Sequence, residues 1–417
     1  MNNSRRKVGE ICEVSSSKRI FMKDYVEEGI PFYRSKEIIK KHNGQEISDK
    51  LYISTDKFNE IKEKFGAPSH GDILLTSVGT IGVPYIVGEG EEFYFKDGNL
   101  TWFKNFSSDV SNKYVYYWLQ SPKGKWEIDK QIIGSTQKAL TIQSIKEMEI
   151  EIPPLEIQSK VVEILDNITN KIELNIHLNQ TLEEMAMTLY KHWFVDFGPF
   201  QDEKFIEAEL GKIPIGWKIV NLKDVADINK RNIKSDFPYE KIQYIDISSV
   251  YQGKLENYTE YVFSDAPSRA KRLVNSGDVI WSTVRPNRKS FLYIYNPYEN
   301  TVVSTGFAVL TPVKIPSTFL YLHVITDQFV SYLVNNAKGS AYPAVNATTF
   351  KDAKFCMPPK EVLKEFDDLV LPWIKLKNEN DLENINLKLL VDFLLPKLIS
   401  GDIDLSEAEE KVENVMQ

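Results

Sequence analysis

Few residues of this chain stand at spacings that catalysis uses. Gly88-Glu-Gly90 is a lone Gly-x-Gly in a charged turn, and neither a GxGxxG dinucleotide loop nor a GxxxxGK[ST] phosphate loop occurs. Asn296-Pro297-Tyr298 lacks the second proline of the catalytic tetrapeptide of amino-methyltransferases and reads as a turn, because Asn-Pro initiates turns. The histidines, His42, His70, His177, His192 and His323, are dispersed, and Cys12 and Cys356 lie far apart. That pattern points to no triad, no zinc set and no disulfide framework. The carboxylate pairs Glu91-Glu92 and Glu183-Glu184 read as solvated surface charge, since nothing places a nucleophile beside them. The chain is expected to be no enzyme and to hold neither metal nor cofactor of its own.

What remains is the chemistry of recognition. Arg and Lys address guanine O6 and N7, Asn and Gln address adenine, and Ser and Thr serve bases or phosphates. In the first part of the chain the candidates are Lys18, Arg19, Arg34, Lys36, Thr76, Ser77, Thr80 and the run Ser135, Thr136, Gln137, Lys138. In the second they are Lys230, Arg231, Ser248, Ser249, Thr283, Arg285, Arg288, Lys289, Ser340 and Tyr342, with Arg285-Pro-Asn-Arg-Lys289 the densest cluster. Most such residues are expected to meet phosphate rather than a base edge.

A net charge of −8 over 417 residues argues against a polyanionic partner until its distribution is seen. The net charge is +1 over residues 1–150, −8 over 151–210, +6 over 211–356 and −7 over 357–417. Two acidic blocks thus alternate with two neutral-to-basic ones, which is the footprint of a duplication. Gly134-Ser135-Thr136 precedes Pro153-Pro154 by the same interval as Gly339-Ser340-Ala341 precedes Pro358-Pro359. The run from Gly71 to Val78 likewise matches that from Gly277 to Val284, and Val8 to Val14 resembles Leu222 to Ile228.

These repeats demand elements to carry them. Apolar runs such as Ile73 to Val78, Val83 to Val87, Val279 to Val284 and Phe291 to Tyr295, bounded by turn residues, predict strands. Asn112 to Gln120 and Ser317 to Asn335 predict helices, so each half is a mixed α/β unit. From Pro154 the pattern changes to steps of three and four: Val161, Leu165, Ile168, Ile172, Ile176, Leu182, Met185 and Leu189. A helix reaching Val195 would span roughly 60 Å. The second copy offers Val362, Phe366, Leu369, Trp373, Leu376, Leu382, Ile385, Leu389 and Phe393, with Pro372 expected to kink or interrupt it. Two such helices suit an intramolecular antiparallel coiled coil, and the doubled chain a pseudo-two-fold repeat matched to a two-fold partner such as duplex DNA.

The run from Ile152 to Asp166, continuing from Leu182 to Asp196, resembles the central conserved region of type I restriction-modification specificity subunits. Met357-Pro-Pro-Lys-Glu361 through Leu394-Leu-Pro-Lys-Leu-Ile-Ser-Gly401 resembles their distal conserved region, and Gly71 to Gly82 a strand and loop of their target recognition domains. The resemblance covers about residues 8 to 405. It implies target recognition domains at 1–150 and 201–356, conserved long helices at 151–200 and 357–400, and an acidic tail at 401–417. It also implies a non-catalytic subunit that reads a bipartite, asymmetric site in double-stranded DNA. Its partners would be two methyltransferase subunits and restriction subunits, which would bring S-adenosylmethionine, ATP and Mg. Two rivals stay open at this point, a stand-alone nuclease or methyltransferase and a coiled-coil scaffold that reads no DNA. No leader or membrane span is legible, so a cytoplasmic protein is expected.

Overall fold

Both Gly-Asp runs become strands that are buried at every position, Ile73–Thr76 and Val279–Ser282. In the computed structural model, which describes residues 4–45, 47, 49–134, 138–234 and 236–416, each lies inside a four-stranded antiparallel sheet. The first sheet runs Glu13–Ser15, Leu100–Lys104, Ile73–Thr76, Pro84–Ile86, and the second runs Ala226–Ile228, Phe307–Pro312, Val279–Ser282, Phe291–Tyr293. The aspartate closes the turn that feeds the strand. Asp72 Oδ2 accepts from the Ser69 N–H at 2.9 Å, and Asp278 Oδ2 from the Asn275 N–H at 2.7 Å.

A second sheet in each half pairs one strand in parallel and another antiparallel. In the first half Ile30–Tyr33 runs parallel to Tyr94–Phe95 and antiparallel to Leu51–Ile53. In the second, Lys241–Ile245 runs parallel to Thr301–Ser304 and antiparallel to Thr259–Val262. The halves differ at the edges. Tyr25–Val26 adds beside Leu51–Ile53 in the first, whereas Ala270–Leu273 adds beside Thr301–Ser304, on the opposite flank, in the second. Each half is closed by a two-stranded ribbon, Ser4–Lys7 with Glu149–Ile152 and Lys218–Asn221 with Lys354–Met357, whose later strand leads into a long helix. The repeat expected from sequence is therefore a repeat of topology, built from mixed α/β units.

The long helices span Leu155–Phe194 and Lys360–Ser400. The chain divides into one unit of Met1–Leu174 with Asn384–Gln417 and another of Asn175–Glu383, so each unit holds half of each long helix. In the first unit Val161, Ile164, Leu165 and Ile168 share a core with Leu387, Leu394, Leu395, Leu398 and Ile399, and with Tyr114 and Trp118 of the domain. Buried Gln158 ties that helix to the domain, accepting from the Ser111 N–H at 2.7 Å and donating to the Asp109 and Pro153 carbonyls. In the second unit Ala186, Tyr190 and Phe194 pack with Leu363, Phe366, Val370 and Ile374 and with Trp217 and Phe319. In both units the start of one helix meets the end of the other, an antiparallel pairing. Phe366 is fully buried, and its truncation to Ala would cost about 3–5 kcal/mol.

The seam of the distal helix is shifted in phase from the apolar stripe legible in sequence. Phe366 is buried and Val362 and Trp373 partly so, but Leu369, Leu376 and Leu389 are 45%, 40% and 61% exposed. Their places in the seam go to Val370, Ile374, Lys377, Asn380, Asn384 and Leu387. The polar members can be buried because they bond one another: Asn179 Nδ2 donates to the Lys377 carbonyl and to Asp381 Oδ1, and Asn380 Nδ2 to Asn179 Oδ1. On the proximal helix Val161, Leu165, Ile168 and Leu182 are buried and Ile172, Ile176 and Leu189 partly buried, but Met185, expected in the same stripe, is 44% exposed, and the neighbouring Ala186 is buried instead. Pro372 does not interrupt its helix. It sits on the solvent face, where the carbonyl of exposed Asp368, deprived of its donor, is left to water. Residues 401–417 include the helix Leu405–Met416, whose Ala408 and Val412 are buried in the first unit's core.

Candidate nucleic-acid interface

Each buried Gly-Asp strand delivers the chain to a loop that a second, distant segment joins. In the first unit the Ser77 N–H donates to the Asn99 carbonyl and the Ser77 carbonyl accepts from the Leu140 N–H, while Val78 forms a bridge with Ala139. In the second unit the Thr283 N–H donates to the Gly306 carbonyl, the Thr283 carbonyl accepts from the Val345 N–H, and Val284 bridges Ala344. The loops singled out around Thr80 and Lys138, and around Arg285 and Tyr342, are thereby brought side by side by the same backbone pairing in both units.

Two positions of this loop turn through the left-handed region. In the first unit both are glycine, Gly79 at φ 80 and Gly82 at φ 86, which carry no Cβ and take the turn freely. In the second unit Arg285 at φ 50 and Lys289 at φ 55 hold the corresponding places. A side chain there costs roughly 1–2 kcal/mol per residue. Lys289 is held by Asp327 at 2.9 Å. Arg285 has no carboxylate within reach among the described residues. Its N–H donates to the Pro343 carbonyl at 2.7 Å, its Nη2 to the Ala341 carbonyl at 3.4 Å, and its guanidinium carbon lies 4.4 Å from the ring centre of Tyr342, which is 69% exposed. Arg288 is exposed beside it, as is Ser340.

The other candidates divide by what already occupies them. Thr76 and Ser77 do not sit on an exposed loop. Thr76 ends the buried strand and its Oγ1 accepts from the Val83 N–H, and Ser77 Oγ lies 2.6 Å from Thr101 Oγ1. The neighbouring hydroxyls satisfy one another, which is what lets them be buried. Thr283 is likewise turned to the fold, donating to the Gly306 carbonyl at 2.8 Å, and Ser249 is buried while Ser248 is exposed. Arg34 is spent at a helix start, giving its N–H, Nε and Nη2 to buried Glu37, with Lys36 3.4 Å away. Burial pushes the Glu37 carboxyl up, but the Arg34 hydrogen bonds win and hold it below the usual range.

Arg231 pairs with Asp278 at 2.5 Å, where burial outweighs the pair and raises the Asp278 carboxyl. Arg19 pairs with Asp97 and Lys230 with Asp227. Lys18 is exposed, with Nζ 4.9 Å over the Phe65 ring, and Thr80 and Lys138 are exposed. Ser135, Thr136 and Gln137 lie outside the described residues.

Sequence reading missed Gln252. It is exposed at the tip of the small hairpin of Val250–Tyr251 and Lys254–Leu255, at φ 43, and its N–H donates to the Lys289 carbonyl at 3.1 Å. The signal was the Gln-Gly step between two short β runs, a two-residue hairpin turn. Among the described residues no group of His, Cys, Asp and Glu is arranged to hold a metal ion.

Comparison with known proteins bears on these surfaces. The family model for the type I restriction modification DNA specificity domain matches residues 2–184 and again 214–384. The chain is similar to the specificity subunit of the type I restriction enzyme MjaIX of Methanocaldococcus jannaschii, 27% identical over 419 residues that cover 96% of this chain and 94% of the relative. It is similar also to the specificity subunit of the type I restriction enzyme HindI of Haemophilus influenzae, 25% identical over 347 residues, 65% of this chain and 72% of that one. The crystal structure of the S subunit of the type I restriction-modification system from M. genitalium shares the fold, with a TM-score of 0.56 at 16% identity over 95% of this chain and 96% of that chain.

Proposed function

This chain belongs to the type I restriction modification DNA specificity family, and from that membership we propose that its two recognition domains each read one half of a bipartite site in double-stranded DNA. It is a specificity subunit, the DNA-recognition and non-catalytic component of a restriction-modification system. The observation that carries the bipartite reading is the duplicated loop pair, the Val78–Ala139 and Val284–Ala344 bridges, each following the equivalent buried strand of its own unit. The half-sites differ in sequence, because glycines at 79 and 82 in one loop correspond to Arg285 and Lys289 in the other. The site as a whole is therefore asymmetric.

The long helices set the distance between the half-sites and dock two methyltransferase subunits, with restriction subunits joining that assembly. Leu369, Leu376 and Leu389 supply exposed apolar surface for such docking. S-adenosylmethionine, ATP and Mg belong to those partners. No helix of the described residues is long and apolar enough to cross a membrane, and the protein acts in the cytoplasm, where it meets cellular DNA.

Joining two weak readers makes the second engagement intramolecular and conditional on spacing, which gives specificity that neither domain has alone. The test is co-expression with the methyltransferase subunit and mapping of methylated bases by long-read sequencing. A split, asymmetric motif with methyladenine in both halves is expected. An assembled complex that leaves no such motif would overturn the reading.

A further inference from the structure

Arg285 occupies a place that the fold offers to glycine. The loops of the two units turn at equivalent points, fixed by the backbone bonds of Ser77 and Thr283 on one side and by the Thr76–Val83 and Ser282–Ser290 pairings on the other. The first unit meets both left-handed positions with glycine. An arginine at such a position is retained for its side chain, since its backbone is disfavoured there. Lys289, the second such residue, has a use inside the molecule, its pair with Asp327.

Arg285 has none of that kind. Among the described residues its guanidinium makes one hydrogen bond, at 3.4 Å to the Ala341 carbonyl, and rests on the exposed ring of Tyr342. The ring and the Ala341 carbonyl restrain the group, and the other N–H donors of its five have no hydrogen-bond partner among the described residues. A planar fork of donors on this loop matches the paired acceptors O6 and N7 of guanine in the major groove. A phosphate accepts the same fork, but an arginine on ordinary backbone would serve it equally, so a phosphate contact gives no reason for the left-handed residue.

We propose that Arg285, stacked on Tyr342, is the specificity-determining residue for one guanine in the half-site read by the second domain. The proposal rests on the bipartite-reader function proposed above. The first domain, with Gly79 at that point, reads its half by other groups.

The experiment is selection from a pool of duplexes with random cores, using the full chain co-purified with its methyltransferase subunit, for the unaltered chain, Arg285→Gly and Arg285→Lys. The unaltered chain is expected to enrich a two-part motif. Arg285→Gly should keep the first half and lose preference at one guanine of the second, a loss of roughly tenfold to hundredfold in discrimination. Its unfolding temperature should hold or rise by up to about 4 °C, because backbone strain is relieved. Arg285→Lys keeps the charge and can still reach guanine O6 or N7 but lacks the planar fork, so it should keep only a weakened preference for the same guanine. Placing 7-deazaguanine there should weaken the unaltered chain and leave Arg285→Gly unmoved.

An unchanged second half in Arg285→Gly, a loss at a base other than guanine, an undiminished preference in Arg285→Lys, or a marked fall in unfolding temperature would each overturn the assignment alone. A failure of the unaltered chain to enrich any two-part motif would overturn the underlying reading, and this assignment with it.

Discussion

Lys377, buried on the distal long helix, donates from Nζ to the backbone carbonyl of Gly253 at 3.1 Å. The same ammonium donates to Asp381 Oδ2 at 2.9 Å, and Asp381 accepts in turn from Asn179 of the proximal helix. From Gly253 the connection continues, its N–H bonding the Phe291 carbonyl while the neighbouring Gln252 N–H bonds that of Lys289. One cation thus links both helices of the second unit to the hairpin that braces the basic loop. Replacing Lys377 by Met should leave the Gly253 carbonyl and Asp381 without their shared donor. The expected cost is about 2–3 kcal/mol, read from urea unfolding. In methylation assays the half-site of the second domain should suffer more than that of the first. An equal loss at both would argue that Lys377 serves stability alone.

His323 makes the second unit sensitive to acid. It is enclosed by Phe319, Phe329 and Phe355, with Nδ1 2.9 Å from the Tyr190 hydroxyl, and burial pushes its imidazole down to about 4. An imidazole in the unfolded chain titrates near 6.5. Between those values the unfolded state binds the extra proton, so stability is full above about pH 6.5 and falls as the pH drops toward 4. The loss should reach about 2 kcal/mol at pH 5, at ~1.4 kcal/mol per pH unit below 6.5. Unfolding followed at pH 7.5 and pH 5 should show this slope. In His323→Asn the slope should flatten even though the variant starts less stable, and an identical slope would place the acid sensitivity elsewhere.

The duplication was legible because glycine, proline and the Gly-Asp step mark turns that backbone geometry makes obligatory, and those turns recur in both units. The same reasoning misplaced the hydroxyls of Thr76 and Ser77. A polar residue following an apolar run reads as a loop, yet here each hydroxyl finds its partner inside, Ser77 on Thr101 and Thr76 on the Val83 N–H. It also misjudged the phase of the distal helix. Counting apolar positions cannot register Asn179, Asn380 and Lys377, whose burial is made possible by bonds across the pair and to a hairpin more than a hundred residues away. Arg285 was found by composition, but its backbone strain, the feature that separates it from its basic neighbours, belongs to the three-dimensional loop alone.

Leu369 and Leu376, seven residues apart and exposed, should answer whether the outer face of the distal helix docks a subunit. Both are partly covered, at 45% and 40% exposed, but lie outside the core, so glutamate at each should move unfolding by only about 1 kcal/mol per site. Co-purification with the methyltransferase subunit should be lost, because two charges on an apolar interface stay desolvated and unpaired. Retention of the subunit by this double variant would move the docking surface to another face.

The spacing role proposed for the helices makes a quantitative prediction, and the polar layer dictates how to test it. Four residues inserted near Asn175 alone would add about 6 Å, but four residues overshoot one turn of 3.6 by about 40°. That rotation would pull Asn175 from Glu383 and Asn179 from Asp381, so a failed variant would teach little. Seven residues are close to two whole turns, and the seam stays nearly in phase. Seven inserted into each helix, between Ile172 and Asn175 in one and between Asn384 and Leu387 in the other, lengthen both by about 10 Å. At about 3.4 Å per base pair that is close to three base pairs. Methylation mapping of this variant should return both half-site sequences unaltered and the non-specific spacer about three base pairs longer. If the variant folds, assembles and methylates with its original spacer, the distance between half-sites is set by something other than the length of the helices.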